Sequence, residues 1–481
     1  MSNRKPNILI IYTDQQRYDT LGAAGNERIR TPNLDAWSER SVRFTRGYVN
    51  SPICLPSRVS MMTGRYCRAH RSFTNGFCLL PRETDMPSHL RRHGYRTAIV
   101  GKDHCFGDHR IHEVFDHVRL ASHLYMIPDE DEVEQRIRES RAGTMQMPFA
   151  DDPIPGDDGI TARLCRHAAE YVQEADNDRP WFMWLSIPDP HPPYMVGEPY
   201  DQMYADTPIP PPAWKRDEMA NKPYRQQLVV QWDRYAAEYD GDRIDKLRRI
   251  YWGMVSCIDT HVGRVLAALE QQGIDDETIV IFTSDHGDYM GDHHMIRKGP
   301  HVYEALTHVP LILRWGDRFK VRSTDAFMSN VDFLPTLCDL VDIPTPEHVQ
   351  GISQAAFLLD QQPAPRSAVF FEHGSPGMPL TPISADEAEL TAIRDNAGGH
   401  HLCPPIYQGR TRGVRTERWK YVCNVGDVDE LYDLETDPNE LDNLIEAGDP
   451  ITRNALDEHR QLLLNWSLET EDSMQGAFAE Q

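Results

Sequence analysis

Apolar residues along this chain fall into two patterns that alternate: short unbroken runs and helical stripes. Asn7–Tyr12 reads NILIIY, Trp181–Ile187 is an aromatic-rich run ending at a proline cluster, and Thr278–Phe282 reads TIVIF. Continuous apolar runs of this length predict strands buried on both faces, as in a parallel sheet. Phe44–Val49, Thr97–Val100 and Val309–Leu313 predict further strands. Ile244, Leu247, Ile250, Met254, Ile258, Val262, Val265 and Leu269 step by three and four. That spacing predicts one long core helix, stopped at Gly273. Ile160–Ala175 and Phe333–Val341 carry the same period, and shorter helices open at Pro32 and Pro87. Pro56–Thr63 has proline in its first turn and Gly64 as its stop.

Strands alternating with helices predict an α/β protein whose sheet is covered on both faces. Beyond about residue 365 the pattern changes. Ala368–Glu372, Gly413–Arg415 and Trp419–Val422 read as short strands, with a turn near Glu417-Arg418, and Leu456–Trp466 as a closing helix. The expected organisation is a catalytic α/β domain over residues 1–365 and a smaller C-terminal α+β subdomain over 366–481. Residues 195–240, rich in Pro, Tyr and charge, read as a long irregular insertion.

Charge narrows the partners. The formal net charge is −24, which repels nucleic acid and anionic membranes. An anionic substrate would then need a local basic pocket. The nine cysteines are scattered and form no CxxC pair, which argues against a disulfide framework or a zinc-thiolate site. No apolar run reaches the length of a membrane span. The first apolar run is too short for a signal-peptide core, so a cytoplasmic location is the expectation.

Two strand ends are alike. Thr13-Asp14-Gln15 follows the first apolar run, and Ser284-Asp285-His286 follows TIVIF. Ligands of open α/β sheets bind beyond the carboxyl ends of strands. Asp14, Gln15, Asp285 and His286 can therefore surround one divalent cation. Oxygen ligands favour Ca²⁺, Mg²⁺ or Mn²⁺, and the imidazole tilts the set toward Mn²⁺. Singly, each Asp reads as a turn or helix cap; the repetition argues for a site.

Cys54-Leu55-Pro56-Ser57-Arg58, followed by Thr63-Gly64, resembles the sulfatase signature C-x-P-S-R-x-x-x-x-T-G. Further blocks extend the resemblance along nearly the whole chain, in the family's order. They are Gly101-Lys102-Asp103-His104, Pro190-His191-Pro192-Pro193, Ser284-Asp285-His286-Gly287 with Lys298-Gly299, and Leu431-Tyr432-Asp433-Leu434. The resemblance implies the alkaline-phosphatase-like fold, a large mixed and mostly parallel sheet sandwiched by helices. It implies that Cys54 is oxidised to formylglycine by a transient partner, a formylglycine-generating enzyme. It also implies one divalent metal held by Asp14, Gln15, Asp285, His286 and residue 54.

The activity so implied is hydrolysis of small-molecule sulfate monoesters to alcohol and inorganic sulfate. A hydrated aldehyde offers two hydroxyls on one carbon. One attacks sulfur; loss of the other's proton then expels sulfate and regenerates the aldehyde. By position, Arg58 and Lys102 hold the hydrate, His104 assists its deprotonation, His191 protonates the leaving oxygen, and Lys298 binds the sulfuryl oxygens. Taken alone, either lysine is an ordinary surface residue and either histidine a loop residue. Their joint order carries the assignment. Asn75 reads either as a pocket residue or as a turn asparagine, and His373 and Arg412 as weaker pocket candidates.

One departure matters. Many sulfatases carry Asp-Asp at the first metal strand and Asp-Asn at the second, whereas Asp14-Gln15 and Asp285-His286 are more like choline sulfatases and phosphonate monoester hydrolases. A phosphonate monoester or phosphodiester hydrolase is therefore the alternative on the same site. A non-catalytic binding protein with unmodified Cys54 is a third reading. The leaving group, expected to contact residues 105–150, 195–240 and 375–410, and any homo-oligomer are left open.

Overall fold

In the computed structural model the described residues are 5–107, 110–121, 126–127, 150–175, 178–232, 241–374 and 409–470, with Glu132, Gln135, Arg136 and Glu139. Much of the expected leaving-group wall, including most of the acidic Asp129–Glu139 stretch, lies outside them.

Nine strands form one sheet: β1 (Asn7–Asp14), β2 (Val42–Tyr48), β3 (Arg96–Gly101), β4 (His117–Ala121), β5 (Met126–Ile127), β6 (Trp181–Pro190), β7 (Thr278–Ser284), β8 (Leu311–Arg314) and β9 (Arg322–Ser329). Their order is β5-β4-β3-β6-β1-β7-β8-β2-β9. The central run from β4 to β7 is parallel, and antiparallel pairs occur at β4–β5, β7–β8 and β2–β8. The expected mixed, mostly parallel sheet is what forms.

The unbroken apolar runs have their reason in the two covered faces. Ile8, Ile10 and Tyr12 pack with the helices Cys54–Thr63, Met86–Arg92 and Phe333–Leu340. Leu9 and Ile11 face the opposite layer, against Ile160–Glu174 and Gly241–Gln271. Alternate residues of one strand thus enter two separate cores.

The smaller sheet has four antiparallel strands in the order β10 (Val369–His373), β11 (Thr411–Arg415), β12 (Trp419–Asn424) and β13 (Glu430–Asp433). The helix Pro450–Glu469 packs on it through Leu463 and Trp466. Four strands go beyond the sequence expectation, one of them the two-residue β5. β4 and β9 are half-exposed and carry polar residues, so their apolar signal is weak, and β13 is hidden inside the C-terminal motif. The insertion also contains a helix, Tyr224–Trp232. Among the described residues no helix is long and apolar enough to cross a membrane.

Candidate active site

β1 and β7 lie side by side with Tyr12 opposite Thr283 and Thr13 opposite Ser284. Their carboxyl ends therefore coincide, and each strand releases its Asp at the same level. The Asp285 amide donates to the Thr13 carbonyl (3.2 Å), and the Gln15 amide to Asp285 Oδ1 (2.9 Å). Gln15 turns the chain with a left-handed backbone, φ 69°, a conformation that bulky residues adopt only when their surroundings hold it.

Cys54 opens the helix that meets these ends. The helix starts at Cys54 itself, two residues earlier than proline placement suggests, and stops at Gly64 in the left-handed region, φ 66°. Proline is tolerated at Pro56 because first-turn amides have no intrahelical partner. The Leu55 amide donates instead to Asn75 Oδ1 (3.1 Å). Asn75 thus secures the first turn of the Cys54 helix.

Arg58, one turn along, is completely buried. Its Nε donates to Asp285 Oδ2 (2.8 Å), Nη2 to Asp14 Oδ2 (3.0 Å) and Nη1 to Ser186 Oγ (2.7 Å). The guanidinium lies over the Tyr12 and Trp184 rings, 5.1 and 5.7 Å from their centroids. One planar fork thus ties the two aspartates and β6 to the Cys54 helix.

Lys102 arrives from the end of β3, where Gly101 has φ 113° and a Cβ would sit 1.9 Å from the Ser186 carbonyl. Only glycine permits that approach, which lets the Lys102 amide donate to the same carbonyl (2.8 Å). Lys102 Nζ donates to Asp14 Oδ2. Lys298 Nζ donates to Cys54 Sγ (2.7 Å) and to Gln15 Oε1 (3.1 Å). His286 Nδ1 donates to the Gly287 carbonyl (2.7 Å), which turns Nε2 toward Cys54 Sγ at 3.2 Å. His104, with φ 54°, shares a side-chain hydrogen bond with Cys54. His191, with Nδ1 on the Pro192 carbonyl (2.6 Å), is among the cations that act on Asp14.

Electrostatics follow from this crowding. Burial would raise Asp14, but Lys102, His191, Arg58 and Lys298 together hold its carboxyl well below the usual range. Asp285 moves the other way, pushed up by burial and by the charge of Asp14. Burial and Asp14 oppose ionisation of Cys54, yet Lys298, Lys102 and His286 hold its thiol well below the normal value. Burial depresses His104, and Lys102 adds to the effect. These cations form a basic pocket inside an acidic protein.

Ligand atoms of Asp14, Cys54, Asp285 and His286 all lie within 4.8 Å of one another, and all four residues are buried. Two carboxylates and an imidazole nitrogen fit a hard or borderline divalent cation, and Gln15 Oε1 accepts from Lys298, which also donates to Cys54 Sγ. All ten predicted site residues therefore gather in one region. The weaker candidates do not. Arg412 sits beside Glu372 and Ser467, and His373 is buried within the small sheet near Arg225. Sequence reasoning misses Ser186, Tyr194 and Asp288. Asp288 is the most findable of the three, lying two residues past His286.

The sulfatase family model matches residues 6–343. The chain belongs to the sulfatase family. Its relatives narrow the setting further. It is 28% identical over 493 residues to a choline-sulfatase of Rhizobium meliloti, covering 98% of this chain and 89% of that one. It superimposes on the phosphonate monoester hydrolase of Agrobacterium radiobacter with a TM-score of 0.77 at 28% identity, covering 97% and 96% of the two chains. For the phosphonate monoester hydrolase of Silicibacter pomeroyi the TM-score is 0.80 at 26% identity, with 98% and 96% covered.

Proposed function

We propose that this chain hydrolyses sulfate monoesters through a formylglycine formed from Cys54, assisted by one divalent cation. The observation that carries the proposal is the convergence of Lys298 Nζ, His286 Nε2 and the Asp14 carboxylate on Cys54 Sγ, at 2.7, 3.2 and 3.8 Å. The sulfur marks the place of the oxygens of a hydrated aldehyde. Formylglycine there would supply two hydroxyls, one to displace the alcohol from sulfur and one to release the sulfate. A cation held by Asp14, Gln15, Asp285 and His286 would supply Lewis acidity beside them.

The chain's own residues divide the remaining work. Arg58 holds the two aspartates in register and fixes the nucleophile helix to them. Lys102 balances Asp14. Lys298, bonded to both position 54 and Gln15, holds the sulfuryl oxygens as charge builds on them. His191 has Nδ1 pinned by a carbonyl, which leaves Nε2 to deliver a proton to the leaving oxygen. His104, kept neutral by burial, accepts a proton from the hydroxyl of residue 54.

The phosphonate monoester or phosphodiester reading stands beside this one because Asp14-Gln15 and Asp285-His286 suit it equally. Intact mass of the Cys54 peptide, from protein made in its native host, tests the modification: sulfur is expected to be replaced by the aldehyde oxygen. A panel of aryl, choline and sugar sulfates, run beside phosphonate and phosphate esters on metal-loaded protein, tests the ester. Sulfate turnover far below phosphodiester turnover would overturn the main reading, and an unmodified peptide would favour a binding protein.

A further inference from the structure

Gln15 is held from both sides by groups that allow only one orientation of its amide. Lys298 Nζ, which can only donate, lies 3.1 Å from Oε1. Asp288 Oδ2 lies 2.5 Å from Nε2, and the Tyr194 hydroxyl lies 3.5 Å from the same nitrogen. Tyr194 also donates to Asp288 Oδ2 (2.5 Å), and the Met290 amide donates to Asp288 Oδ1 (2.9 Å). Asp288 is fully buried, and both of its oxygens act as acceptors.

We propose that Asp288, with Tyr194, is the positioning residue that makes Gln15 a metal ligand, and that the carboxylate at 288 is why position 15 is an amide. The inference rests on the metal reading of the site given above. With Asp288 behind it, the amide turns its nitrogen to Asp288 and its oxygen to Lys298, which donates to Cys54 Sγ as well. A carboxylate at position 15 would set an acceptor against the accepting oxygen of Asp288 at hydrogen-bond distance. The Asp288→Asn change cannot serve Gln15 either. The new amide has one accepting end but meets donors on both sides, Gln15 Nε2 and the Tyr194 hydroxyl on one and the Met290 amide on the other, so a donor is left facing another. The cost falls on Gln15, whose amide is freed to turn its nitrogen to the metal side.

The two positions should therefore be interchangeable only as a pair. When Gln15→Glu is combined with Asp288→Asn, the new amide nitrogen at position 288 donates to the new carboxylate at position 15, while the amide oxygen accepts from Met290. The test is calorimetric titration of Mn²⁺ into the full-length apo chain, with unfolding midpoints recorded for each variant. Asp288→Asn is expected to weaken Mn²⁺ binding about 10–100-fold, the usual effect of losing a group that orients a ligand. In the Gln15→Glu background the same change should strengthen binding instead. Tyr194→Phe, which strips one donor from Asp288 and leaves the amide contact, should cost a smaller, measurable loss and serves if Asp288→Asn fails to fold. A change of the same sign in both backgrounds, or a Tyr194→Phe protein binding as tightly as wild type, overturns the role of Asp288. Absence of Mn²⁺ binding by the wild-type chain would overturn the metal reading and this inference with it.

Discussion

Among the described residues, two buried clusters of charge are built on opposite plans. The first surrounds Cys54, and its groups converge on one point. The second lies where the small sheet meets the larger one. There Lys420 is buried between Glu304 (3.0 Å) and Glu440 (2.9 Å), Tyr48 donates to Glu304 (2.6 Å), and Gln226 donates to Glu430 (2.7 Å). Lys222 donates to the Tyr432 hydroxyl (2.8 Å). In this second cluster donors and acceptors consume one another. The difference teaches what separates a reactive buried charge from a cohesive one. Lys298 is partly buried and Lys420 fully buried, both near carboxylates, but Lys298 reaches the Cys54 sulfur whereas Lys420 ends on carboxylates.

The sharpest way to break this contrast is at the nucleophile. Cys54→Ala should lower sulfate-ester turnover about 10⁴-fold or more, read as sulfate release, with an unfolding midpoint close to wild type. Lys420→Met should do the reverse. Removing one partner of a buried ion pair costs about 3–5 kcal/mol, read by chemical denaturation, while turnover per folded molecule stays near wild type. A large loss of turnover in folded Lys420→Met protein would merge the two clusters into one. Lys298→Ala should reduce kcat by about 10²–10³-fold, the scale for losing one group that stabilises developing negative charge, with little change in stability.

A further prediction concerns pH. Burial pushes His70 down to about 3, and His261 and His308 down to about 4. An unfolded chain takes up protons at these imidazoles near pH 6.5, whereas the folded chain does not until the lower values. Their contribution to stability is thus full above about pH 6.5 and is lost as pH falls toward 4 and 3. Thermal midpoints measured from about pH 8 to about pH 4 should hold level and then decline. Midpoints that rise on acidification would remove these histidines from the account.

Legibility in the sequence follows the reach of each interaction. The Cys54 segment and the two strand ends are local strings, so their chemistry is written in consecutive residues. Strands β1, β6 and β7 are visible because burial on both faces forces unbroken apolar runs. The polar strand β9 leaves no such mark. The second cluster is illegible for a related reason. Lys222, Glu304, Lys420, Glu430 and Glu440 are spread over 218 positions, and each alone looks like a solvated surface residue. Asn75 and Asp288 fall between. Their positions beside known motifs are visible, but not whether their side chains face the pocket or support it from behind.

By itself, then, the sequence determined the family: a Cys-x-Pro-Ser-Arg segment, two acidic strand ends and a set of basic blocks in the sulfatase order. It determined the layered α/β core as well, through the period of its apolar residues. Only the tertiary structure decided that β1 and β7 are neighbours in register, which brings ligand atoms from distant parts of the chain within 4.8 Å. It also decided which buried charges point at Cys54 and which are spent on one another. Orientation of a side chain depends on partners distant in the chain, and no local pattern records them.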